Sequence, residues 1–259
     1  MHRRLIPTLI SLALLTACAT SPTGRSQLML MPESEMKQIG TEAFTTIKKE
    51  TPVDRETTTN RYVECVAGAI TREVGGNWEV VVFKDDAANA FALPGGKIGV
   101  NTGLLKVAEN QDQLATVLGH EVAHVLSQHS NERLSQTLAV QSGLGLITAL
   151  ANPRSGTGQT VMGLLGVGAQ YGILMPYSRI QESEADLLGL DLMAKAGFNP
   201  QESIALWRNM GRAGGKQPPE FLSTHPSHST RITDLKAHMQ AALRLQQQAR
   251  ARGRRPDCK

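Results

Sequence analysis

Aromatic side chains are scarce in this chain of 259 residues: five Phe, two Trp and three Tyr, or 4%. Modules that stack nucleic-acid bases depend on such rings, so no nucleic-acid partner is expected. Apolar runs long enough to span a bilayer are also lacking. Residues 5–17 and 161–174 are the longest candidates, at 13 and 14 residues, and a membrane helix needs about 20. Charge of one sign does not dominate. Lys and Arg number 27 against 23 Asp and Glu, for a net +4, and the excess falls to about +2 without Arg3 and Arg4 in the leader. So small an excess selects no partner, and Arg250, Arg252, Arg254 and Arg255 read as a solvated tail. With 41% hydrophobic and 19% charged residues, wholesale disorder and a collagen-like fibre are excluded. No internal repeat is present.

The chain opens with a basic stretch, Met1-His2-Arg3-Arg4, then the apolar run 5–17, ending in Leu15-Thr16-Ala17-Cys18. Residues 1–17 thus read as a signal peptide. The final four residues look like a bacterial lipoprotein box, in which Cys18 is acylated. Ala19 is not the Asp that commonly retains such proteins at the inner membrane, so the expected location is the outer membrane, lipid-anchored and facing the periplasm. Residues 18–32, with Pro22, Gly24 and Pro32, read as a lipidated tether. Cys65 and Cys258 remain. In an oxidising compartment they could pair as a disulfide, or stay free with Cys65 as a small buried apolar residue.

Periodicity predicts helices over 33–49 and 57–73, a strand over 78–83, and a strand–turn–strand over 89–93 and 97–101 around Pro94-Gly95-Gly96. Asn110 offers a helix start, and the pattern of Leu114, Val117, Leu118, Val122 and Val125 extends past Leu138. A Gly-, Ser- and Pro-bearing loop covers 152–157, and the Gly-rich run 161–174 reads as a tightly packed or mobile helix. Further helices are expected over 178–196, closed by Gly197, and over 201–213 and 229–248. The order gives an α+β fold, a mostly helical single domain with a small antiparallel sheet.

The chemistry centres on His120-Glu121-Val122-Ala123-His124. Residues four apart share a helix face, about 6 Å apart along the axis. Two such imidazoles can hold one zinc ion, and Glu121 beside them can take a proton from water at the metal. A catalytic zinc uses three protein ligands, the third distant in sequence. Glu182 and Asp186 also lie four apart, which suits one carboxylate on the metal and a second buttressing a ligand imidazole. Glu184 points about 200° away from Glu182. These acids could instead serve as helix capping. His129 and His238 read as surface helix residues.

Together with Asn89-Ala90-Phe91-Ala92-Leu93-Pro94-Gly95-Gly96 and Ser223-Thr224-His225-Pro226 followed by Arg231, these motifs resemble the gluzincin metallopeptidase family. That family includes the prenyl-protein CAAX protease, the mitochondrial inner-membrane stress protease and bacterial periplasmic lipoproteins. The resemblance implies a zinc metallopeptidase domain over 33–259. One Zn2+ would sit on His120, His124 and Glu182, with Glu121 as general base. It also implies that His225 faces the metal and that Arg231 lies nearby. The chain looks like the soluble, lipid-tethered branch. The strand 89–93 is the candidate edge for an extended substrate, through Asn89, Ala90, Phe91 and Ala92, although the segment could be only a structural hairpin. His225 sits in a polar loop, expected to be exposed and mobile, as a movable gate or an oxyanion donor. The function implied is an endopeptidase acting on misfolded or stalled polypeptides of the cell envelope. The alternative is a chaperone-like factor, allied to outer-membrane protein assembly machinery, whose zinc site is latent.

Overall fold

A short hairpin and two helices lead into a small sheet, and a helical layer built on the His120–His124 helix completes the structure. A computed structural model describes residues 18–151, 177–213, 220–225 and 230–259. The expected signal peptide, the loop at 152–157 and the Gly-rich run 161–174 lie outside the described residues. Strands β1 (Cys18–Thr20) and β2 (Ser26–Leu28) form a hairpin. Helix α1 (Glu33–Glu50) and helix α2 (Thr57–Thr71) follow, and α2 starts where the Glu56 carboxylate accepts the amides of Thr58 and Thr59. Then come β3 (Glu79–Phe83), β4 (Ala90–Leu93) and β5 (Lys97–Asn101). The remaining helices are α3 (Gln111–Leu126), α4 (His129–Ala151), α5 (Arg179–Lys195), α6 (Glu202–Ala213), the short α7 (Glu220–Thr224) and α8 (Arg231–Ala251). This is the expected mostly helical α+β architecture. Among the described residues no helix is long and apolar enough to cross a membrane.

Three expectations need correction. The three-stranded sheet is mixed rather than antiparallel, in the order β3-β5-β4. The link 84–89 carries the chain past the width of one strand. The β4–β5 hairpin then folds β5 into the gap, antiparallel to β4 and parallel to β3. The helix expected to run past Leu138 breaks after Leu126, because Gln128 takes a left-handed φ of 50°. The segment expected as a tether is folded from Cys18 to Leu28. Its turn closes on Gly24 at φ 89°, with the Ser21 amide donating to the Arg25 carbonyl at 2.8 Å.

Helix α3 is the centre of the core. Leu114, Val117, Leu118 and Val122 are fully buried, against α2, the sheet and α5. Helix α5 begins in a capping box between Ser178 and Gln181 and ends at Gly197, whose φ is 96°. The C-terminal tail returns to the start of α3: Gln111 donates to the Pro256 carbonyl at 3.0 Å and accepts the Cys258 amide at 2.8 Å. There Cys258 is joined to Cys65 of α2 by a disulfide. Cys65 itself is exposed.

The crossing of α3 over α5 is close because both faces are bare. A Cβ on Gly119 would stand 2.7 Å from the Gly189 carbonyl oxygen, and one on Gly189 would stand 2.7 Å from the His120 amide nitrogen. This approach sets the Glu182 helix directly behind the two histidines. Gly189→Ala should therefore wedge the helices apart and destabilise the fold by about 1–3 kcal/mol, as overpacking does. Gly211→Ala, with open space at its Cβ, should gain stability from helix propensity. Thermal unfolding of the two variants checks this, and equal midpoints would contradict the close crossing.

Candidate metal centre

Helix α3 presents His120 and His124 on one face, one turn apart, and both are buried. Their Nε2 atoms lie 3.0 Å apart. From α5, Glu182 reaches the same point: its Oε1 is 3.4 Å from His124 Nε2 and its Oε2 is 3.5 Å from His120 Nε2. His225, at the end of α7, closes the group. Its Nδ1 is 3.0 Å from Glu182 Oε1 and 3.2 Å from His120 Nε2. Ligands held by a tetrahedral zinc at about 2.0–2.2 Å stand about 3.3–3.6 Å from one another. Three imidazole nitrogens and a carboxylate at these spacings fit one such ion, and the four residues form a group able to hold a metal.

The electrostatics differ between the donors. Burial lowers His120, but bonds to Asp186 and Glu182 outweigh it and raise this imidazole to about 9, so a cation there displaces a proton. Burial drives His124 well below its ordinary value, so it is neutral and able to bind a cation. Burial pushes Glu182 up, but bonds from His120, His124 and His225 reverse this and hold it far below the carboxylate range. Burial also raises Glu121, opposed in part by the His225 and His120 imidazoles. Glu121 Oε2 accepts the Ala92 amide at 3.1 Å, and its Oε1 faces His225 Nε2 at 3.3 Å.

The supports around these residues come from distant elements. Asp186, one turn beyond Glu182, places Oδ1 3.0 Å from His120 Nδ1. Arg231 of α8 donates from Nε to Asp186 at 2.6 Å and from Nη2 to Glu182 at 2.5 Å, and its guanidinium lies 3.9 Å from the Trp207 ring centre. Behind His124, Nδ1 meets the Nδ1 of His129 at 2.8 Å. His129 is fully buried, not on the surface as a continuous helix predicts. Burial, outweighing its bond to Glu184, lowers it to about 4, so it is neutral. Glu184, on the far face of α5, is 3.1 Å from His129 Nε2. Tyr177 stacks on the His124 ring at 3.8 Å, with the Arg133 guanidinium 3.6 Å from its own ring centre. His129, Tyr177, Arg133 and Arg25 carry no motif signal. Only the short distance of His129 from His124 along the chain hinted at a role.

The loop expected to leave His225 exposed does not do so. His225 is 3% exposed, because its ring stacks on Phe221 at 4.4 Å and its amide donates to the Phe221 carbonyl. His238 is half-exposed and pairs with Asp191 at 2.8 Å, away from the site. Asn89, Phe91 and Ala92, but not Ala90, border a cleft of about 380 Å³ that also holds Glu121, Tyr177 and His225. Ala90 and Ala92 face the main core, while Phe91 stacks with Phe83 and meets Phe44 edge-on. Phe91 and Phe83 both line the cleft, so this stacked pair forms part of its wall.

A helix carrying two histidines and a glutamate, crossed by a second helix that brings another glutamate, defines a gluzincin-type metallopeptidase. More narrowly, the chain belongs to peptidase family M48, which matches residues 54–239 and whose members are zinc-dependent. It is similar to the mitochondrial metalloendopeptidase OMA1 of Schizosaccharomyces pombe, 41% identical over 60% of this chain and 44% of that protein. The OMA1 of Saccharomyces cerevisiae is 38% identical over 68% of the chain and 51% of its own length. The beta-barrel assembly-enhancing protease of Yersinia pestis is 27% identical over 89% and 52%. The chain spans about half the length of the curated relatives it matches.

If this group holds the ion, His124→Ala should bring zinc content from about one per chain to near zero. Asp186→Ala should leave zinc bound with about 10 to 100-fold weaker affinity. Elemental analysis and chelator competition read both, and unchanged affinity in Asp186→Ala would remove its part as the buttress of His120.

Proposed function

We propose that the chain is a zinc-dependent endopeptidase of the bacterial envelope, lipid-anchored through Cys18 to the outer membrane and facing the periplasm. Its substrates are misfolded or stalled periplasmic and outer-membrane polypeptides. The observation that carries the peptidase reading is the position of Glu121, whose carboxylate lies between the histidine–glutamate cage and the main chain of strand β4. The names of the relatives, metalloendopeptidases and a beta-barrel assembly-enhancing protease, support peptide hydrolysis. The envelope assignment rests on the basic, apolar leader ending at Cys18. Because the hairpin starts at Cys18 itself, the lipid and the folded domain have no spacer between them.

His120, His124 and Glu182 would hold the zinc, which supplies Lewis-acid polarisation of a peptide carbonyl and lowers the pKa of water. Glu121 takes the proton of the attacking water and returns it to the leaving amine. Its burial, which raises its pKa, makes it the stronger base. Strand β4 lies at the edge of its sheet among the described residues. It aligns an extended substrate by main-chain pairing, along Asn89 to Ala92. Asp186 and Arg231 keep His120 and Glu182 in place.

A specific observation also favours a gated resting state. His225 Nδ1 is a fourth donor within reach of the same point, and an ion held by all four residues would have no open corner for water. His225 would then have to withdraw before hydrolysis, and a site that stays closed would act as the latent centre of an assembly factor.

Glu121→Gln should keep zinc and lose cleavage of casein and of the chain itself by about 10²-fold or more. A deletion strain fully restored by this variant would favour the assembly factor. In the same assay His225→Ala should raise basal cleavage and self-cleavage. A lower kcat would instead make His225 an oxyanion donor.

Fractionation checks the anchor: Cys18→Ser should leave the outer membrane for the soluble periplasm. Retention in the membrane would require another anchor.

A further inference from the structure

The two metal-site histidines of α3 are supported differently. His120 turns its second nitrogen directly to a carboxylate, Asp186. His124 turns its second nitrogen to another imidazole, His129. With Nε2 aimed into the donor cluster, His124 must carry its proton on Nδ1. His129 Nδ1 then accepts that proton's hydrogen bond, and His129 Nε2–H donates to Glu184 Oε2 at 3.1 Å. One set of tautomers satisfies every nitrogen in the line, and the line ends on a carboxylate, as the support of a metal-bound imidazole usually does.

The backbone is shaped for this line. In an uninterrupted helix, residues five apart lie about 140° apart around the axis, too far for His129 to meet His124. The break at Ser127 and Gln128 turns α4 back and brings the two rings to 4.9 Å between centres. The break is itself secured from the N-terminal hairpin: Gln27 of β2 donates to the freed Ser127 carbonyl at 2.7 Å.

The same hairpin holds the carboxylate end. Thr23 donates to Glu184 Oε1 at 2.6 Å, and Arg25 Nε donates to its Oε2 at 3.0 Å. Arg25 also grips both oxygens of Glu132, on α4, at 2.5 and 2.7 Å. One guanidinium of the hairpin thus ties α4 to α5 across His129.

We propose that His129 and Glu184 are positioning residues for the zinc site, a relay that fixes the His124 ring for the metal, and that the hairpin of residues 18–28 locks this relay through Thr23, Arg25 and Gln27. This rests on the reading that His120, His124 and Glu182 hold zinc. The N-terminal segment is then a working part of the metal centre rather than a leash.

The test uses the full chain and reads metal binding, not only activity. Zinc affinity is measured by competition with a chromophoric chelator, and the visible spectrum of the cobalt-substituted protein reports ligand geometry. Three variants are compared: His129→Phe, which fills the space without a nitrogen; His129→Gln, whose amide can accept from His124 and donate to Glu184; and Arg25→Met. His129→Phe and Arg25→Met should weaken zinc binding by about 10 to 100-fold and shift the cobalt bands, and His129→Gln should recover most of the affinity. A purely structural role would lower the unfolding midpoint of the metal-free protein alike in all three, with no rescue by Gln. Wild-type affinity and spectrum in His129→Phe would overturn the relay, and wild-type affinity in Arg25→Met would overturn the lock. Should His129→Phe fail to fold, the Arg25→Met and His129→Gln pair decides alone. His124→Ala separates the two levels: if it retains full zinc, the metal site itself is misassigned, whereas if it loses zinc while His129→Phe does not, only the relay fails.

Discussion

Carboxylates removed from water are the constraint on which the rest of this structure depends. Glu121, Glu132, Glu182, Glu184 and Asp186 are all buried within one region. An unpaired buried charge costs several kcal/mol, so each needs a counter-charge or a proton. Three guanidiniums answer them: Arg25, Arg133 and Arg231. Arg25 spans Glu132 and Glu184, and Arg231 spans Asp186 and Glu182. Their flat, forked donors hold two carboxylates in a fixed planar geometry, which the compact ammonium of a lysine does not impose. Five acids outnumber the three guanidiniums, and the His120, His124 and His225 imidazoles around Glu182 take up part of the excess. The raised Glu121 carboxyl, closest to the cleft, is the one left free to exchange a proton.

Bringing those charges together requires helices that pass unusually close. The Gly119–Gly189 crossing supplies this, and it sits one residue before His120. A side chain at either position would move the α5 acids away from the α3 imidazoles. At such separations the Coulomb terms fall and the desolvation cost stays. Packing and chemistry are therefore the same problem here: the glycines exist to let the charged faces meet.

Much of the site was legible before the fold was known. His120, Glu121 and His124 follow from spacing alone, and Glu182 with Asp186 from a second one-turn pair. The capped start of α3 at Asn110 and the Gly197 stop of α5 were equally readable. What stayed hidden was polar burial. Helix α5 buries Glu182 and Glu184 on opposite sides, so no clean apolar stripe marks its inner face. His129 looked superficial because the break before it is made by Gln128, which carries no turn signature, rather than by Gly or Pro. The hairpin escaped because its strands are three residues long, too short to show a period, and Arg25 and Gln27 hold it by bonding to residues about 100 positions away. The burial of His225 depends on a ring contact with Phe221, which no periodicity encodes.

The two metal-site histidines end up with matching supports drawn from opposite ends of the chain. His120 leads through Asp186 to Arg231, on the C-terminal helix. His124 leads through His129 and Glu184 to Arg25, on the N-terminal hairpin. Each line runs from imidazole to carboxylate to guanidinium, and each guanidinium also grips a second carboxylate, Glu182 in one case and Glu132 in the other. A buried line of polar contacts transmits position, because a shift of the guanidinium leaves a buried carboxylate unpaired, and moving the imidazole it faces relieves that cost. The shape of the donor cage is thus set as much by residues 18–28 and 231 as by the helix that carries the histidines.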